Sequence, residues 1–164
     1  TGRNDSRDAR ESLRSDKNGS AAVAHWLVKT EPEAWSWEDH AKKGVEPWNG
    51  VRNHQAANNL KAMKICERAF FYHSGGAREI VGIVEVVRTY YPDPTDATGR
   101  FGMEDFRAVR PLQSPVTLAR IKAEPRLSHL ALVRQSRLSV MPVDEKSWAR
   151  ICEMGGVAAG GDAP

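Results

Sequence analysis

Two hydrophobic periods alternate along the chain. The run HWLVKTEP, residues 25–32, is a short β-type segment that Pro32 closes, because proline has no N–H to give a strand ladder. The stretch SWEDHAKKG, residues 36–44, predicts a short helix: Ser36 is placed to cap it, Asp39 occupies the reciprocal capping position and Gly44 stops it. Pro47, Trp48, Asn49 and Gly50 then make a turn. From Asn53 to Met63, Ala56, Leu60 and Met63 share one face, which predicts an amphipathic helix.

The period then falls to two. RAFFYHSGG (68–76) and EIVGIVEVVRTYY (79–91) are aromatic and β-branched runs joined through Gly75 and Gly76, a hairpin signal. The second is apolar enough to predict a central strand. Residues 92–100 form a turn-rich loop, and 101–112 predict another strand, ended by Pro111. Thr117 is placed to cap a short helix to Lys122, a second helical piece spans 126–130, and 137–143 return to strand. Asp144 can cap a last helix in which Trp148, Ile151 and Met154 recur at helical spacing, so this helix is expected to plug one end of a barrel. Trp26, Trp35, Trp37 and Trp148 lie among periodic apolar neighbours and are expected to serve packing. Strands with short helices between them, and no regular βαβ alternation, predict an α+β fold built on a small, mixed, mostly antiparallel barrel.

Composition narrows the reading. A chain of 164 residues suits one domain, expected over 25–154. Residues 1–24 and 155–164 hold almost nothing to bury and are expected to be a disordered and a flexible tail. Charged residues at 27% and hydrophobic residues at 40% are ordinary globular values, and no apolar run approaches the ~18 residues of a membrane span. A soluble, intracellular, monomeric protein without a membrane partner is therefore expected, cytoplasmic in a bacterium and nuclear in a eukaryote. The net charge of +3 suits a polyanionic partner without establishing one. Cys66 and Cys152 lack ligand spacing, as do the five histidines, so neither a metal nor another cofactor is expected.

The usual catalytic signatures fail: there is no GxSxG, no glycine-rich phosphate loop and no HExxH. His73 and Ser74 are neighbours on a strand and point to opposite faces. What remains suits a recognition pocket: Lys29, Thr30 and Glu31; Trp48, Asn49, Gly50, Val51, Arg52 and Asn53; Tyr72, His73 and Ser74; Arg134, Gln135 and Ser136. A planar heterocycle is held by stacking on an aromatic face while amides, hydroxyls and backbone groups read its edge. From spacing alone, Trp48 either walls such a pocket or covers the barrel mouth, and the arginines either meet phosphates or make surface ion pairs.

The segments HWLVKTEP, PWNGVRNHQAANNLKAMK, FFYHSGG, GIVEVVRTYYPDPT and LALVRQSRLSVMPV, in that order, resemble the EVE domain family over about residues 25–154. That family belongs to the PUA-like superfamily and is related to the YTH readers of methylated adenine in RNA. The resemblance implies a pseudo-barrel with short flanking helices and a pocket for a modified base in DNA or RNA, single-stranded or flipped out. It places the family's segments on Lys29–Pro32, Trp48–Asn53, Phe71–Ser74 and Leu132–Val140, with Lys29, Arg52, Arg134 and Arg137 near base or phosphate. In this reading Gly50 lets the backbone approach the ligand, and Trp48 can be removed without unfolding the domain. His54 and Thr30 depart from the family's common tyrosine and serine, and RFGMEDF (100–106) replaces a tryptophan-bearing strand. A non-catalytic reader is thus expected. The alternatives are a small amidohydrolase using Lys29, Thr30 and Glu85 on a modified nucleoside, and a protein-interaction module.

Overall fold

The computed structural model describes residues 23–159, so most of the first expected tail and the end of the second lie outside the described residues. The elements in chain order are β1 (His25–Thr30), α1 (Trp37–Lys43), β2 (Val45–Pro47), α2 (His54–Ala62), β3 (Arg68–His73), β4 (Glu79–Pro92) and β5 (Gly102–Thr117). After these come α3 (Leu118–Ala123), a 3-10 turn (Pro125–Leu127), α4 (Ala131–Arg134), β6 (Val140–Val143) and α5 (Glu145–Gly155).

The strands form one sheet in the order β2-β5-β4-β3-β1-β6. Only β1 and β3 pair in parallel; the other pairs are antiparallel, which matches the mixed, mostly antiparallel expectation. As its sequence demands, β4 is central, flanked by β3 and β5. The β4–β5 register shifts at four places, and such irregularities bend a strand pair and strengthen its twist. The sheet curls until its β2 edge approaches the end of β1, and α2 covers the seam, donating Asn59 Nδ2 to Val140 O of β6 at 2.8 Å.

Local chemistry sets most boundaries. Ser36 and Asp39 form the expected capping box on α1, Asn53 caps α2, Thr117 caps α3 and Asp144 caps α5. Pro111 does not end its strand: β5 continues to Thr117, with Pro111 opposite Gly82 among the register irregularities that tolerate a missing N–H. The helix expected at 126–130 is instead the 3-10 turn followed by α4, because Pro125 starts a tight turn and Leu130 begins the next helix. The strand expected from 137 begins at Val140.

Trp26, Trp37 and Trp148 are buried, as expected, along with Phe70, Phe71 and Phe106. Trp148 of α5 stacks on Phe70 at 3.9 Å and on His25 at 4.4 Å, so the last helix does seal one side of the sheet. Chain order persists past the boundary expected at 154, since Val157 N–H donates to Cys152 O and Trp148 Nε1 donates to Ala159 O. Gly82 is required by a close approach, because a Cβ there would lie 2.5 Å from the Trp37 ring. Gly82→Ala is therefore expected to lower stability by about 1–3 kcal/mol, read as a fall in thermal midpoint by circular dichroism. An unchanged midpoint would show that the ring moves aside freely. No described helix is long and apolar enough to cross a membrane.

Candidate functional site

Where the curled sheet brings β2 against the end of β1, a cavity of about 310 Å³ opens. Lys29 and Thr30 of β1, Ala34 and Trp35 of the following turn, Glu46 and Pro47 of β2, and Trp48 and Asn49 beyond it form its walls. Four of the residues singled out from sequence thus meet: Lys29, Thr30, Trp48 and Asn49.

Trp48 is only 7% exposed. Its ring meets Phe71 at 5.5 Å and Phe106 at 5.6 Å edge to face, and its backbone N–H donates to Glu104 O at 2.7 Å, pinning the residue to β5. The indole is therefore a core residue that also borders the cavity. Its packing against Phe71 and Phe106 argues against the expectation that it can be deleted without loss of stability.

Trp35 packs against the core, as expected, but is only partly buried and also forms the second aromatic wall. Its Nε1 donates to His40 Nδ1 at 3.0 Å, while His40 Nε2 lies 2.8 Å from Phe106 O. A carbonyl only accepts, so Nε2 carries the proton and Nδ1 accepts, which fixes a neutral tautomer. Burial agrees, pushing the His40 imidazolium below its ordinary pKa despite the Phe106 carbonyl. Glu46 also faces the cavity and was missed. No signal in the sequence pointed to it, because Pro47 reads as part of a turn and the strand Val45–Pro47, which sets the face Glu46 shares with Trp48, is not expected.

Lys29 Nζ donates to Ser136 O at 3.0 Å and lies 5.6 Å from the Tyr72 ring centre, while burial lowers the pKa of its ammonium. Ser136 thus reaches the site through its carbonyl. Thr30 Oγ1 donates to Trp35 O at 3.0 Å and keeps its lone pairs.

The other sequence candidates are brought to structural tasks. Gly50 has φ +83°, and its N–H donates to Asp93 Oδ2 at 2.8 Å, so the turn itself needs glycine here rather than a ligand's approach. Arg52 pairs with the same Asp93 oxygen at 3.1 Å and donates to Thr95 Oγ1 at 2.8 Å. Burial raises the Asp93 pKa, but hydrogen bonds from Thr95, Gly50 and Arg52 outweigh it and hold the carboxyl below its ordinary value. Val51 is in the core and Asn53 spends its side chain capping α2. His73 accepts from Trp37 N–H at 3.0 Å, Tyr72 is buried, and Ser74 N–H donates to Thr30 O. Glu31 is exposed and its carbonyl holds the turn to Ala34 and Trp35. Arg134 Nε donates to Ser128 O, and Gln135 ends α4.

Two catalytic arrangements fail on geometry. Lys29 is level with Tyr72 and Ile80 on neighbouring strands, whereas Glu85 is level with Arg68 and His25, four positions or about 13 Å along β1. Glu85 is also paired with Arg68 and Arg107. Near α5, Ser147 Oγ and Asp144 Oδ1 approach the same His129 nitrogen, Nε2, at 3.2 and 2.7 Å. A relay needs the two ring nitrogens separately, so this cluster is a helix cap with a histidine attached.

A mixed sheet curled into a pseudo-barrel, with a ring-sized slot at its seam, defines a PUA-like domain. The match to the EVE domain model extends over residues 24–154, and the chain belongs to the EVE domain family. It is 33% identical to chicken (Gallus gallus) thymocyte nuclear protein 1 over 85% of this chain and 72% of that protein. Among solved structures, Rpa0253 from Rhodopseudomonas palustris is 54% identical with a TM-score of 0.78, covering 82% of this chain and 94% of that one. Human THYN1 protein in complex with 5-methylcytosine containing DNA is 30% identical with a TM-score of 0.78, covering 81% and 98%.

Proposed function

We propose that this domain is a non-catalytic reader that holds one modified nucleobase of a nucleic acid between Trp48 and Trp35. The observation that carries the reading is the cavity itself: two indoles, an ammonium, a hydroxyl, a carboxylate and an amide converge on about 310 Å³. That lies at the lower end of the roughly 300–1,000 Å³ of ligand pockets, a size for one base rather than two. A base stacked in a duplex cannot reach a slot set into the sheet's seam, so the ligand is single-stranded or flipped out. The shared fold with human THYN1, whose complex contains 5-methylcytosine DNA, supports that base as the first to test. Lys29 in the cavity, exposed Arg134 at the end of α4 and exposed Arg137 in the loop after it supply positive charge for the flanking phosphates. The separation of Glu85 from Lys29 and Thr30 disfavours the amidohydrolase reading.

Trp35 gives the cleaner test, because it borders the cavity and packs on the outside of the core without being enclosed in it. In fluorescence anisotropy, a single-stranded oligonucleotide with one 5-methylcytosine should bind more tightly than its unmodified counterpart. Trp35→Ala should weaken that binding by about 5- to 100-fold, the loss of one base stack. Its thermal midpoint should fall by only about 4 °C, corresponding to the freed His40 acceptor. Equal affinity for the modified and unmodified strands would sink the reading.

A further inference from the structure

We propose that Glu46 makes this pocket selective for bases that carry an exocyclic amine and turns away those with a carbonyl at the same position. The inference rests on the base-pocket reading and adds to it the chemistry of the ligand's edge.

The hydrogen-bonding capacity left in the cavity decides the matter. The Lys29 ammonium has no lone pair; it donates one of its three N–H groups to Ser136 O and keeps the others for any acceptor, so it does not by itself favour an amine. The Trp35 N–H is spent on His40, and the Thr30 hydroxyl proton is spent on Trp35 O. Asn49 can donate or accept and so distinguishes little by itself. Glu46 is the one carboxylate among the residues bordering the cavity, and a carboxylate in its ionised form only accepts. Two residues from Trp48 at the edge of the sheet, it projects to the side the indole borders.

Glu46 is held without being locked. Its side chain is 21% exposed and pairs with Lys43, three residues earlier, whose own side chain is 57% exposed. An exposed pair of this kind contributes little, so the carboxylate can turn toward a ligand at small cost. Facing the 4-amino group of a cytosine or the 6-amino group of an adenine, it accepts a hydrogen bond. Facing the 4-oxygen of thymine or uracil, it meets another acceptor, and both lose their water for nothing.

5-Methylcytosine and thymine make the decisive comparison, because they share ring size and the 5-methyl group and differ in the group at position 4 and the proton at N3. We would measure anisotropy with three single-stranded oligonucleotides identical except for a central 5-methylcytosine, thymine or N6-methyladenine. The wild-type protein should bind at least one amine-bearing strand about tenfold or more tightly than the thymine strand. In Glu46→Gln the amide can turn its NH₂ toward the oxygen, so that ratio should collapse to within about threefold. Lys43→Ala removes the surface partner but keeps the carboxylate, and should keep the selectivity. The N6-methyladenine strand separates the two amine sources, since preference for it over 5-methylcytosine assigns the carboxylate to an adenine. Retained selectivity in Glu46→Gln, with an unchanged melting temperature, would overturn the proposal. So would a wild-type protein that binds thymine as well as 5-methylcytosine and N6-methyladenine in a Trp35-dependent way, and that result would leave the pocket standing. Failure to bind any of the three strands would remove the pocket reading itself.

Discussion

Replacing Trp48 with alanine will destabilise the domain by about 3–5 kcal/mol, in addition to removing oligonucleotide binding. The indole is nearly enclosed, with Phe71 and Phe106 in near-perpendicular contact with it and its backbone pinned to Glu104 O. Alanine would leave a void among rings that the surrounding strands cannot close, because β5 and β3 are held by their own ladders. At about 4 °C per kcal/mol for a domain of this size, the thermal midpoint should drop by roughly 12–20 °C. Lost binding in this variant would therefore not separate a ligand contact from a damaged core. Trp48→Phe is the more informative change: a smaller ring keeps much of the packing and offers less surface for stacking, so affinity should fall further than stability. A midpoint within about 3 °C of wild type in Trp48→Ala would contradict the enclosed placement of the indole.

Glu104 carries the second large effect. Its side chain is fully buried, neither carboxyl oxygen finds a hydrogen-bond partner of good geometry, and burial pushes its pKa from 4.5 to about 8. The Tyr90 backbone N–H favours the charged form, but less strongly than burial opposes it. A group raised in this way stays protonated in the folded chain while the unfolded chain releases its proton. Its contribution to stability is complete below about pH 4.5, is lost as the pH rises to about 8, and stays lost above that. The loss across this window should be on the order of 5 kcal/mol. Glu104→Met keeps the length of the side chain and removes the charge. It should raise the midpoint at pH 8, by about 1–4 kcal/mol in stability, and flatten the pH dependence relative to wild type. Parallel stability curves for the two proteins between pH 5 and pH 9 would show that Glu104 ionises as freely in the folded chain as in the unfolded one.

The missed and reassigned residues share one cause. Trp35 and Trp37 are two apart in the same capped turn, and spacing treats them alike. The fold buries Trp37 against Gly82 and leaves Trp35 beside the cavity, because only Trp37 lies over a strand position that lacks a side chain. Arg52 and Asn53 looked like ligand-facing groups because Asp93, which claims Arg52, lies 41 residues further along the chain, and because capping by Asn53 depends on where α2 begins. Glu46 looked like an ordinary surface acid until the curled sheet carried β2 across to β1.

By itself the sequence determined what short-range chemistry controls. Ser36, Thr117 and Asp144 set three helix starts, aromatic and β-branched runs set β3 and β4, the apolar run put β4 at the centre, and the motif series marked the family. Only the tertiary structure decided which side chains share a cavity. That depends on the curl of β4 and β5 through successive register shifts, a sum of small backbone displacements that brings together residues from β1 and β2. Periodicity reports which face of an element is apolar, and it carries no information about which distant edge that face will meet.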